Sequence, residues 1–169
     1  MKHLTLLRHA KSSWEHSGLD DHSRPLNARG MRDAPLVGQA IAALCASQNI
    51  PLPGLVLISS AQRTKETAGL VLPELGSSPR EEIVGDLYLA APRQMMAVLQ
   101  QADESVDHLL VIAHNPGTPE LVNQLATDPV LESYPTCTAA VLQLDIDAWG
   151  LVDDECGHRV GLIRPRDLS

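Results

Sequence analysis

The chain has 169 residues, of which 44% are hydrophobic and 20% charged. That is enough to bury a core, and it suits neither collagen, a coiled coil nor a disordered tail. A formal charge of −8 and an aromatic content of 2%, with no Phe, argue against general nucleic-acid or anionic-membrane binding, because such partners require a broad basic face or stacking rings.

In chain order, the first apolar run covers residues 4–7 and reads as a buried strand. Arg8, His9 and Lys11 interrupt it, so it is too short for a signal-peptide core or a membrane span. Residues 11–25 form a long polar loop. A helical pattern follows over 28–46, with Asn27 as its N-cap and Pro35 either kinking it or marking its first turn. Residues 55–58 read as a second strand, 62–71 as a helix and 76–82 as a turn. After Pro92 a helix covers 93–101, then a third apolar strand covers 109–112, then a helix covers 119–126. Residues 139–146 and 160–163 read as late strands that form an antiparallel edge. Strand and helix alternate, and the first three strands are apolar without strict alternation, as strands covered on both faces are. The expected fold is α/β: a single three-layer α/β/α domain over residues 1–169 with a mostly parallel central sheet. Cys45, Cys137 and Cys156 are odd in number and lack C-x-x-C spacing, which fits a reducing, cytoplasmic setting.

The chemistry collects at the strand ends. Arg8-His9 follows the first strand, Ser59-Ser60-Ala61-Gln62-Arg63 the second and His114-Asn115-Pro116 the third. In open parallel sheets ligands bind at the carboxyl edge, so these residues would converge on one crevice. Alone, each has an ordinary explanation: a solvated strand-end histidine, or an exposed arginine at a helix start. His3, His16, His22, His108 and His158 are assigned that ordinary role. Together, two arginines and two histidines describe a pocket for a tetrahedral oxyanion, most simply phosphate. A neutral imidazole with one nitrogen held by a backbone carbonyl can attack phosphorus with the other, while guanidinium groups hold the equatorial oxygens. Zinc is a poor competitor, since neighbouring arginines repel a dication and no H-E-x-x-H or Cys/His spacing is present. No metal or other cofactor is expected.

These residues resemble a known family. Arg8-His9-Ala10-Lys11-Ser12-Ser13-Trp14, Asp21-x-x-Arg24-Pro25-Leu26-Asn27-x-x-Gly30, Ser60-x-x-Arg63-x-x-x-Thr67-Ala68 and Ala113-His114-Asn115-Pro116-Gly117 are similar to the histidine phosphatase (phosphoglycerate mutase-like) superfamily, in particular its small SixA-type phosphohistidine phosphatases. The resemblance implies a phosphoglycerate mutase-like fold. It implies that His9 is a transiently phosphorylated nucleophile, with Arg8, Arg63 and His114 completing the phosphate pocket. Arg24 would be a further phosphate contact or a loop anchor acting through Asp21, and Ser12 a further hydrogen-bond donor. Ala10 and Ala113 stand where the family has glycine. Larger members carry an acidic proton donor between the second and third strands; here the nearest counterpart is Asp86, with Glu74, Glu81 and Glu82 as alternatives. An ester needs such a donor more than a phosphoramidate does, so a weak acid assignment and a short chain favour a phosphohistidine-bearing protein as substrate. A small-molecule phosphomonoesterase and an inactive phospho-binding module are the competing readings.

Overall fold

The protein is described here by a computed structural model covering residues 1–168. A six-stranded sheet runs through it in the order β3-β2-β4-β1-β5-β6. Its strands are β1 (Lys2–Arg8), β2 (Leu55–Ser59), β3 (Arg80–Val84), β4 (His108–Ala113), β5 (Ala139–Leu144) and β6 (Gly157–Ile163). β1, β2, β3 and β4 pair in parallel, whereas β5 is antiparallel to both β1 and β6. The helices are α1 (Ala28–Ser47), α2 (Gln62–Val71), α3 (Pro92–Gln100) and α4 (Gly117–Leu125).

Side chains alternate across each strand and supply two separate apolar layers. Leu4, Leu6, Leu55, Leu57, Leu109 and Val111 pack on one face with Met95, Leu99, Leu121 and Leu125 of α3 and α4. Leu7, Val56, Ile58, Leu110 and Ile112 pack on the other with Val37, Ile41, Ala68 and Val71 of α1 and α2. The fold is thus the expected three-layer α/β/α arrangement. The central strands read as continuous apolar runs because both of their faces are covered.

Three local expectations change. Residues 80–84 form a strand rather than part of a turn: β3 lies at the sheet edge, with its Arg80-Glu81-Glu82-Ile83 side chains exposed, and a charged edge strand lacks the apolar signature of its buried neighbours. α1 runs unbroken through Pro35, eight residues into the helix, with Asn27 Oδ1 accepting from the Gly30 amide at 2.9 Å as its cap. β6 begins at Gly157, before the apolar segment that marked it, because its side chains are mostly half-buried.

The register is what places the site. Arg8 lies opposite Ala113, and Ile58 opposite Ile112, so β1, β2 and β4 end level and set His9, the last β2 residue Ser59, and His114 side by side. Two glycines let the following backbone come close. A Cβ on Gly30 would lie 2.3 Å from the Lys11 carbonyl oxygen, and one on Gly117 would lie 2.0 Å from that of Ala90. The first contact seats α1 on the loop after β1, and the second seats the start of α4 against the approach to α3. No helix among the described residues is long and apolar enough to cross a membrane.

Candidate active site

His9 leaves the end of β1 held by its backbone on three sides. Its amide donates to the Ala113 carbonyl, its carbonyl accepts from the Cys137 amide, and the next amide, of Ala10, donates to Thr67 Oγ1. The imidazole is only 6% exposed. Its Nδ1–H donates to the Ala10 carbonyl at 2.7 Å. A carbonyl can only accept, so the proton is on Nδ1 and the lone pair on Nε2. Arg63 Nε lies 3.3 Å from that lone pair.

His114 carries the opposite tautomer. Its Nδ1 accepts from an Arg63 terminal nitrogen at 3.2 Å, which leaves Nε2 to donate to Ser59 Oγ at 2.7 Å. The two rings are 5.4 Å apart, centroid to centroid. One buried guanidinium therefore faces two imidazole lone pairs. Arg63 is held there from its other side: it donates to the Asp21 backbone carbonyl at 2.7 Å and to Asp21 Oδ2 at 2.9 Å.

The electrostatics keep both rings neutral. Burial above all pulls His9 down to about 4; the bond to the Ala10 carbonyl opposes it more strongly than either arginine assists, and the Arg63 and then Arg8 charges add to the lowering. Burial and then Arg63 take His114 down to about 3. A neutral imidazole with an unprotonated Nε2, released when Arg63 turns its N–H to a bound oxyanion, can act as a nucleophile toward an electrophilic phosphorus.

Arg8, His9, Lys11, Ser12, Trp14, Asp21, Arg63, Leu89, His114, Asn115 and Thr136 line a pocket of about 240 Å³ around these groups. Arg8, His9, Arg63, His114 and Ser12 are thus brought together as the sequence suggests. Arg8 is anchored through a bond to the Tyr134 carbonyl at 3.0 Å. Arg24 stands behind the rim, with its guanidinium carbon 3.9 Å from the Trp14 ring centroid and two buried nitrogens without a hydrogen-bond partner.

Asp86 is a correction. It is exposed and lines a different groove, with Arg80, Glu82, Val98 and Asp103. The 3-10 turn Gly85–Leu87 buries Leu87 in the core and directs Asp86 away from the His9 pocket. Glu82 lines that same groove. Glu74 and Glu81 line other surfaces or pair there: Glu74 Oε2 accepts from Gln39, and Glu81 borders a groove with Pro73 and Pro79.

The same turn delivers Tyr88 instead. Its hydroxyl donates to Asp21 Oδ2 at 2.5 Å, and its ring stands edge-on to His114 at 5.4 Å. His22, read from sequence as an ordinary histidine, stacks edge-on against Tyr88 at 4.7 Å and bonds to Ser60 Oγ at 2.9 Å. The roles of Asp21 and Tyr88 at the pocket are not evident from the sequence; the one signal was the position of Asp21 within the Asp21-x-x-Arg24 element. His108, by contrast, keeps its ordinary role, buried between Thr5 Oγ1 and the Pro51 carbonyl at 2.7 and 2.6 Å.

Comparison with known proteins gives a consistent result. Residues 4–84 match the model for the histidine phosphatase superfamily (branch 1). An uncharacterised Mycobacterium tuberculosis protein is 33% identical over 169 residues, spanning 95% of this chain and all of the relative. An uncharacterised chloroplastic protein of Arabidopsis thaliana is 30% identical over 157 residues, spanning 88% of this chain and 69% of the relative. Among solved structures, a protein assigned as the phosphohistidine phosphatase SixA of Nakamurella multipartitia superposes with a TM-score of 0.77 at 25% identity, covering 97% of this chain and 96% of that one. A protein histidine phosphatase SixA complexed with tungstate superposes with a TM-score of 0.79 at 22% identity, covering 99% of each chain. With the His9 pocket at the carboxyl edge of a sheet of this fold, the chain belongs to the histidine phosphatase superfamily, in its SixA-type branch, and is a phosphatase.

Proposed function

We propose that the protein hydrolyses phosphorylated substrates through a covalent phosphohistidine on His9, and that its preferred substrate is phosphohistidine displayed on another protein. The observation that carries this reading is the His9 tautomer: Nδ1–H is engaged by the Ala10 carbonyl and Nε2 is unprotonated, beside Arg63. In the first step Nε2 attacks phosphorus and the bond to the leaving group breaks. Arg8 and Arg63, with Ser12 at the rim, stabilise the equatorial oxygens as their charge grows, and His114, whose Nδ1 accepts from Arg63, holds that guanidinium in place. In the second step water releases phosphate and returns the electron pair to Nε2.

Support for the substrate class comes from what faces the leaving group. Asp86 lies in another groove, and the carboxylate at the pocket, Asp21, is held below the ordinary carboxylate range by hydrogen bonds from Tyr88 and Arg63. An ionised carboxylate is a poor proton donor. An imidazole leaving group protonated on its distal nitrogen departs neutral without one, whereas an alkoxide does not. The names of the SixA neighbours, one a phosphohistidine phosphatase and one a protein histidine phosphatase, favour this choice. The reading also places the protein in the cytoplasm, in keeping with its free cysteines.

The test compares phosphate release from a phosphohistidine-bearing protein with release from a panel of alkyl and aryl phosphate esters, in wild type and His9→Ala. Faster release from the phosphoprotein, abolished by the substitution, is expected. Turnover that survives His9→Ala would overturn the phosphoenzyme, and a preference for alkyl esters would overturn the substrate class.

A further inference from the structure

The second half of the reaction needs a base, and the arrangement of charges around the pocket restricts where it can be. His9 sits at the pocket floor, 6% exposed. Displacement at phosphorus is in line, so the water that cleaves a phosphoryl group from Nε2 must approach from the side opposite His9, which is the open mouth. Asp21 is there, half exposed, and it is the one carboxylate among the residues that line the pocket.

Its position is set from both flanks. Arg63 spans the distance between the two reacting ends, with Nε at 3.3 Å from His9 Nε2 and a terminal nitrogen at 2.9 Å from Asp21 Oδ2. The carboxylate is therefore one guanidinium's breadth from the nucleophile. Tyr88 donates to the same Oδ2. Both bonds fall on one oxygen, and Oδ1 has no protein donor among the described residues. His114 is the other imidazole lining the pocket, but its lone pair accepts from Arg63, and its ring lies beside that of His9; the Ser12 and Thr136 hydroxyls and the Asn115 amide, which also line it, are too weakly basic to take a proton from water.

We propose that Asp21 is the general base of phosphoenzyme hydrolysis, taking the proton of the attacking water through Oδ1 while Arg63 and Tyr88 hold Oδ2. Water oxygen bonds to phosphorus, the Nε2–P bond breaks with its electron pair returning to His9, Asp21 Oδ1 receives the water proton, and inorganic phosphate departs. The proton then passes from Asp21 to solvent. Asp21 takes no proton in forming the phosphoenzyme, where it only holds Arg63, so the proton chemistry of the two half-reactions separates at this residue. Tyr88 acts through Asp21 and is a positioning residue. The proposal rests on the phosphoenzyme reading above.

The experiment is rapid-quench kinetics with ³²P-phosphoramidate, a small N–P donor, quenched in alkali so that phosphohistidine survives. Formation and decay of labelled protein are followed in wild type, Asp21→Asn, Asp21→Ala and Tyr88→Phe, each checked for folding by circular dichroism. Asparagine keeps the acceptor for Arg63 but cannot take a proton. In Asp21→Asn the label is expected to form at close to the wild-type rate and to decay about 100-fold more slowly or worse, whereas Asp21→Ala, which also removes the side-chain acceptor of Arg63, should form label more slowly and lose it as slowly as Asp21→Asn. Added formate should accelerate decay in Asp21→Ala and leave Asp21→Asn, where the space is filled, unchanged. Tyr88→Phe should slow decay by less than tenfold without altering formation. Decay in Asp21→Asn within threefold of wild type would overturn the proposal. So would a parallel loss of formation and vanadate affinity in Asp21→Asn, which would make Asp21 an anchor for Arg63 alone. If wild type hydrolyses phosphoramidate without labelling His9, the phosphoenzyme reading itself falls, and this proposal with it.

Discussion

Acidification tests the state of His9 directly. With its folded value near 4 rather than the ordinary 6.5, the imidazole remains about nine-tenths unprotonated at pH 5, where an ordinary histidine would be only about 3% unprotonated, roughly a thirtyfold difference in available nucleophile. The rate of phosphoenzyme formation should therefore stay level from pH 8 to pH 5 and fall below that. Stability moves in the same window. Between pH 6.5 and about 4 the unfolded chain binds a proton at His9 that the folded chain does not, so stability is full above pH 6.5 and declines as the pH drops toward 4. For this one residue the loss approaches about 3 kcal/mol. His108, also held near 4, and His114, near 3, act in the same direction, so acid unfolding should begin where the rate falls. The assay is a proton NMR titration of the imidazole Cε1 signals, assigned through His9→Gln, His108→Gln and His114→Gln, with circular dichroism in the same buffers. A His9 midpoint at or above pH 6 in the folded protein would refute the reasoning, because it would mean that burial and the two arginines fail to hold the ring neutral.

Arg63→Ala should weaken vanadate binding by about 2 to 4 kcal/mol, roughly 30-fold to 1000-fold, through loss of a charge-assisted clamp; isothermal titration would detect this, and an affinity within threefold of wild type would contradict the placement. In that variant the His9 titration should also move up toward its ordinary value, since the Arg63 charge helps to depress it. Asp86→Ala should leave turnover of phosphohistidine protein within about twofold, as expected for an exposed residue lining another groove; a hundredfold loss would return it to the site. Gly117→Ala should destabilise the fold by about 3 kcal/mol in urea unfolding, because the added methyl meets the Ala90 carbonyl; an unchanged midpoint would show that the α3 approach yields freely.

The parts of this molecule that could be read from sequence are those in which local pattern and burial agree. β1, β2 and β4 are apolar on both faces, and the residues that follow them must lie at one sheet edge, so the sequence alone brings His9, Arg63 and His114 together. β3 could not be recognised, since an exposed edge strand rich in charge has neither an apolar run nor a clean alternation. Asp21 and Tyr88 escaped for a different reason. They are 67 positions apart and partly exposed, and their contact depends on how the loop 11–25 folds back over the end of β2. The sequence points to Asp86 as the acid near the pocket, but one buried leucine decides which of its neighbours turns inward: Leu87 enters the core, which puts Tyr88 at the pocket and Asp86 outside it.

The two tryptophans occupy opposite surroundings. Trp14 is 67% exposed at the pocket rim, with a guanidinium over its ring, whereas Trp149 is fully buried, with its indole N–H donating to the Val106 carbonyl at 2.8 Å. An indole in water emits further to the red than one in a dry core, so the fluorescence of the unlabelled chain divides into two channels. The red component follows the loop that carries Ser12, Asp21 and Arg24. The blue component follows the core layer beneath α3 and α4 and changes only when that layer opens. Occupancy of the pocket and loss of the fold can thus be followed separately in one cuvette, and Trp14→Phe leaves unfolding as the sole optical signal.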